Sequence, residues 1–258
     1  MKWILFIFLA ITSLPSFASA AFPTQSVNFA LASSEYALII DATQTGLDFA
    51  GAMTIEGWFK FDTIPGTDGA MSLAGKWLDA GGQDSYLLQL IDQSGVQKIR
   101  FLNSNDGSSV GLATVNTSLV AGTWYHIAAI YTTDPLLEVV IDGTSVGTSA
   151  GSLKTSIFNG SGSFQVSGDN GATYFNGNVS MLRAWNTNRT AAEINTNKCN
   201  VLGSTTNLSG EWTFDGVYTD NSGNSNTLTA FNTPTFESDV TAACGTAVVF
   251  QLWKLFQW

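Results

Sequence analysis

The sequence predicts an all-β protein, an antiparallel two-sheet sandwich with one short helix near residues 190–198. Three observations carry that prediction. Apolar, β-rich runs recur about every 8–12 residues between turns rich in Gly, Asn and Asp. In the stretch GTWYHIAAIYTTDPLLEVVIDGTSVG, the runs Trp124–Tyr131 and Leu136–Ile141 are parted by a TTDP breaker. Asp142-Gly143 then supplies the strongest short-range hairpin signal and starts a third strand, with no room for a crossover helix.

The other elements follow in order. From Phe22 to Ile40, two short runs are joined by a Ser/Ala-rich bend, and 41–52 reads as turn. MTIEGWFKF, residues 53–61, is a strand centred on Trp58, followed by the loop DTIPGTDG. Residues 71–76 form a strand and 77–83 a loop. Residues 85–91 and 96–101 are strands around the turn DQSG, and 110–115 continues after a polar turn. Residues 164–167 and 177–185 are strands around the loop GDNGATYFN. Thr190-Ala191-Ala192-Glu193 matches a capping box, so the helix starts there, and it ends near Lys198. Residues 209–214 form a late strand before the polar loop 215–226.

Hydrophobic residues make up 45% and aromatics 12% of the chain, ample for a core and contrary to disorder. Asp+Glu outnumber Lys+Arg by 20 to 10 and no basic cluster occurs, which argues against nucleic acid and anionic membrane surfaces as partners. The first 20 residues read as a signal peptide. Lys2 is followed by an apolar run from Trp3 to Ile11, a break at Leu14-Pro15, and Ala18-Ser19-Ala20 before Ala21. The expected location is therefore secreted, periplasmic or extracellular, with no transmembrane span after cleavage. In such an oxidising compartment Cys199 and Cys244 pair most simply as a disulfide, worth ~4 kcal/mol by loop entropy. Residues 21–245 then make one domain. The apolar tail 246–258, with Gln251, Lys254 and Gln257 three apart, reads as an amphipathic helix or as an incomplete chain end.

Four segments together, TIEGWFKF, GTWYHIAAIY, LEVVIDG and FNGNVSMLRAWNTNRTAAEI, carry a resemblance. The chain resembles the laminin-G-like jelly roll domains of the concanavalin A-like lectin/glucanase superfamily over roughly residues 25–230. The resemblance implies a jelly-roll sandwich. It does not select a function, because that fold hosts lectins, adhesion modules, hydrolases and lyases.

The candidate chemistry is weighed against that background. His126, the single histidine, alternates within an apolar strand and reads as a core residue, without a nucleophile motif beside it. Glu211 and Asp215 are the one carboxylate pair spaced for one strand face, but the paired-carboxylate motif of the superfamily's retaining glycosidases is absent. Asp215, Asp220, Asn221 and Asn224 crowd one loop and form a candidate calcium set, although Asp and Asn also favour turns. For sugar binding, an aromatic ring beside polar groups is the pattern sought. Trp77 with Asp79, Asp84 and Tyr86 supplies one such group, and Tyr174 with Asp169 and Asn170 another, whereas Trp58, Trp124, Trp185 and Trp212 read as core. The leading expectation is a secreted, non-catalytic module recognising glycans or cell-surface glycoproteins. A polysaccharide hydrolase or lyase with a non-standard site, and a structural, adhesion or assembly protein, are the alternatives.

Overall fold

The computed structural model describes residues 21–244, so the expected signal peptide and the apolar tail lie outside the described residues. The strands are β1 (Ser26–Phe29), β2 (Tyr36–Ile39), β3 (Met53–Phe61), β4 (Ala70–Lys76), β5 (Tyr86–Gln93), β6 (Val96–Ser104), β7 (Val110–Asn116), β8 (Trp124–Thr132), β9 (Leu136–Ile141), β10 (Thr144–Ser149), β11 (Phe164–Val166) and β12 (Gly177–Trp185). After them come helix α1 (Ala191–Asn197), β13 (Leu208–Trp212), β14 (Thr229–Phe231) and β15 (Thr235–Glu237).

All pairings are antiparallel, in two sheets. One runs β10-β9-β8-β3-β12-β1-β15, with β13 also on β12; the other runs β14-β2-β11-β4-β5-β6-β7. This is the expected sandwich. Its core lies between the sheets, where Phe29, Phe59, Phe61, Phe101, Tyr131, Phe164 and Trp212 are all sealed from solvent. Each such side chain contributes roughly 1.5–3 kcal/mol of burial.

Local chemistry fixes the register. Asp142 and Gly143 both take positive φ, 54° and 87°, as a two-residue type I′ turn requires. The Asp142 carboxylate also accepts from the His126 amide at 2.9 Å, tying the turn to β8. A side chain on residue 143 would meet Asn195 at 2.3 Å, so glycine is needed for space as well as for φ. At α1, the Thr190 hydroxyl and Glu193 carboxylate form the predicted capping box. Ile194 of the helix packs on Ala128, Ile130 and Val140.

The first sheet is covered on both faces, and β12 is buried at every position. A bulge at Met181 (φ 47°) resets its alternation, so Val179, Leu182 and Ala184 join the core while Arg183 and Trp185 face outward. There Arg183 donates from Nε to Glu211 at 2.8 Å, lies 3.6 Å from Glu56, and donates to the carbonyls of Asn197 and Asn200. Glu211 also accepts from the Leu202 and Gly203 amides, Trp185 donates to Glu56, and Trp58 donates to the Lys198 carbonyl. The Cys199–Cys244 disulfide closes over the same segment, as expected.

Removing the cation from this layer would strand two buried carboxylates. Arg183→Ala should therefore destabilise the fold by about 3–5 kcal/mol in urea unfolding. A loss below about 1 kcal/mol would show that the layer does not hold the sheet.

Candidate functional site

Of the catalytic candidates, His126 and Glu211 are locked inside that layer. His126 is buried, its Nε2 3.5 Å from Glu56, and neither ring nitrogen has a hydrogen-bond partner. Burial, then the Arg183 and Lys198 charges, hold its pKa well below the usual histidine range, and burial pushes Glu56 up. Glu211 is sealed beside Arg183, whereas Asp215 sits at the surface and accepts from the Thr24 amide and hydroxyl and the Gln25 amide. Glu211 and Asp215 therefore do not face a common groove, and His126 opens onto none.

The loop proposed for calcium is built from the same kind of internal contact. Asp220 accepts from the backbone amides of Glu211, Ser222 and Asn226 and from the Ser222 hydroxyl. Asn221 donates its amide N–H to the Glu211 carbonyl, and Asn224 donates its side-chain N–H groups to the Leu208 and Ser209 carbonyls. Asp215 meanwhile ties down the start of β1. The four residues serve the local backbone, and these contacts do not bring them together around one point.

The second sheet presents a different outer face. Gln89 of β5 donates to the Ser72 hydroxyl of β4 at 2.9 Å and accepts from Arg100 of β6 at 2.8 Å. Across this row lies loop 167–176. Its Thr173 carbonyl accepts from the Ser72 amide at 2.6 Å, and the two hydroxyls are 2.6 Å apart. Thr173, a β-branched residue, is held at φ 48°, a strained conformation that these contacts impose. Asn170 donates from its side chain to the Trp77 carbonyl, joining the two predicted ligand loops at the end of β4.

There Asp79 acts on both Asp84 and Asp169. Burial, then the charge of Asp79 and a shared hydrogen bond with it, pushes Asp84 up to about 6. Asp169 is also raised, first by burial, with the Asp79 charge adding to it. Asp84 is 5% exposed, and its Oδ1, like that of Asp169, has no hydrogen-bond partner. Buried carboxylate oxygens left in this state are high in energy, and a proton or a cation relieves them. Among the described residues no three carboxylate, His or Cys side chains already cage a metal, so an ion here would also need carbonyl or amide oxygens.

Of the seven predicted ligand residues, Asp79, Asp84, Asp169 and Asn170 are thus brought into one cluster, with half-buried Tyr174 closing the loop. Two are corrected. The Trp77 ring is buried, its N–H donating to Asp79 at 2.7 Å, and Tyr86 is buried with its hydroxyl donating to the Leu47 carbonyl. Neither offers a face to a sugar. The apolar burial available beneath the loops outweighs the polar sequence around them. Ser72, Gln89, Arg100 and Thr173 were missed, although a glutamine within the apolar run YLLQLI was a usable signal.

A family model, Laminin_G_3, described as the concanavalin A-like lectin/glucanases superfamily, matches residues 32–195. No curated protein sequence matches the chain. Among solved structures, the chain is similar to a protein from Bacteroides ovatus assigned to carbohydrate binding (TM-score 0.62, 18% identity), over 84% of this chain but only 60% of that one. It is also similar to the heptameric SAP-like pentraxin of Limulus polyphemus (TM-score 0.58, 14% identity; 86% and 97% covered). A third is the CBM40 of the Ruminococcus gnavus IT-sialidase, bound to alpha2,3 sialyllactose (TM-score 0.50, 12% identity; 68% and 99% covered). At these identities the likenesses concern the fold.

A raised carboxylate stabilises the fold at low pH, and its contribution is lost as pH rises through about 6. In chelator, Asp84→Asn should therefore raise the melting temperature at pH 7, and the gain should disappear by about pH 4. A variant less stable than wild type at pH 7 would contradict the burial of an unpaired charge.

Proposed function

We propose a function for a chain that belongs to the concanavalin A-like lectin/glucanases superfamily: a secreted, non-catalytic module that binds glycans or cell-surface glycoproteins. The observation that carries this reading is the contrast between the two sheets. One buries its ionisable groups, the unpartnered Glu56 Oε2 and His126 nitrogens included, in a structural layer sealed from solvent. The other holds unpartnered carboxylate oxygens under a strained loop at its outer face. The carbohydrate-binding descriptions of the Bacteroides ovatus and Ruminococcus gnavus structures support the same ligand class. The disulfide and the signal-like first 20 residues support secretion.

Calcium belongs to this proposal, and the unpartnered oxygens of Asp84 and Asp169 support a place for it at Asp84, Asp79 and Asp169 in preference to the Asp215–Asn224 loop. When bound, calcium supplies open coordination positions that sugar hydroxyls can occupy. Asp84 provides the buried anchor, Asp79 its partner carboxylate, and Asp169 the charge carried in by the loop. Arg100 and Gln89 brace the sheet beneath, where Asp169 and Arg100 sense each other's charge.

Calcium should raise the melting temperature at pH 7.5 and do so much less at pH 5, where Asp84 is protonated. A glycan array and pull-down on insoluble polysaccharides, each with calcium and with chelator, should give calcium-dependent retention that Asp84→Asn abolishes. Folded protein that binds nothing across a broad panel would contradict the function. Retention unchanged by chelator would remove calcium from it.

A further inference from the structure

A line of aromatic rings leads away from the acidic cluster, and the function proposed above does not use it. Tyr36 of β2 and Phe231 of β14 are directly opposite in register, and their rings stack with centroids 4.9 Å apart and planes within 8°. On the other side of Tyr36 lies Tyr174, 6.1 Å away and tilted by 30°. Tyr174 belongs to the loop that carries Asp169. The strip therefore runs from the loop that carries Asp169 through Tyr174 and Tyr36 to Phe231.

The far end is open. β14 is the terminal strand of its sheet, and Phe231 is 38% exposed. One face of its ring is stacked on Tyr36, and the other points away from the stack, beyond the sheet edge. A bare phenylalanine face on an edge strand is unfavourable in water, whereas the apolar face of a sugar ring can add to it as the next rung. The two phenol hydroxyls alongside give such a chain hydrogen-bonding partners that a purely apolar ligand would not use.

We propose that Phe231, Tyr36 and Tyr174 form an extended subsite for a glycan chain of several units. One unit is held at the Asp84 cluster and a later unit is stacked on Phe231. The inference rests on the glycan-binding reading and deepens it. It predicts recognition of chain length in addition to recognition of a terminal sugar.

The test uses Phe231→Ala, Tyr36→Phe and Asp84→Asn, each first checked for a wild-type-like melting profile in chelator apart from the Asp84 effect described above. Binding is measured by affinity electrophoresis in laminarin, xylan, arabinan and hyaluronan, and then by calorimetry with the disaccharide and hexasaccharide of each polysaccharide that retards the wild type. Phe231→Ala should weaken hexasaccharide binding on the order of tenfold and leave the disaccharide unchanged. Tyr36→Phe should keep most of the length preference, and Asp84→Asn should weaken both ligands. Equal affinity of the wild type for both lengths, or an equal effect of Phe231→Ala on both, overturns the extended subsite while leaving glycan binding intact. A wild-type dimer in sedimentation that Phe231→Ala converts to monomer also overturns it, because the ring would then be covered by a second copy. Retardation by none of the four polysaccharides counts against both readings.

Discussion

Arg183 is the constraint on which the rest of the fold depends. Its guanidinium lies on the outer face of a central strand, sealed from water, between Glu211 and Glu56 and against two backbone carbonyls. A buried cation is tolerable only when its donors are satisfied, and here the partners come from two neighbouring strands, from the end of α1 and from the segment after it. The bulge at Met181 exists in the same economy of space, since without it Arg183 would point into the apolar core. The helix, the disulfide and the late strand β13 all close over this one group.

The consequence is a division of labour between two outer faces. The layer between the first sheet and α1 is sealed, and its histidine and glutamates are structural. The other sheet keeps a polar row, Ser72–Gln89–Arg100, and lays over it a loop whose Thr173 is strained and whose Asp169 carboxylate is incompletely paired. Strain and unsatisfied polar atoms are expensive, and those of this loop and of Asp84, unlike Glu56 Oε2 and the His126 nitrogens of the sealed layer, lie on an outer face. Negative charge at that rim also matches the acidic balance of the whole chain.

Much of the fold was legible because its determinants are local. Asp142-Gly143 names its own turn, Thr190 and Glu193 name their own cap, and alternation marks β3, β8 and β12. The two three-residue strands β14 and β15 were not readable, since they are strands only because β2 and β1 lie beside them. The same holds for the site. Asp84, Asp169 and Asn170 could be nominated from loop composition, but their meeting depends on a loop crossing the sheet. Trp77 and Tyr86 looked available to a ligand because their neighbours in sequence are polar, yet the tertiary core claimed both rings. The pairing of Tyr36 with Phe231 joins opposite ends of the domain, and no local pattern announces it.

The cation site proposed at Asp84, Asp79 and Asp169 has a direct optical probe. Terbium, a calcium mimic that emits when a nearby indole is excited, tests it most directly, because the Trp77 indole is hydrogen-bonded to Asp79. The account predicts saturable terbium emission on tryptophan excitation that calcium displaces and that Trp77→Phe removes. Emission absent in the folded protein, or unaffected by both calcium and the loss of Trp77, would contradict it.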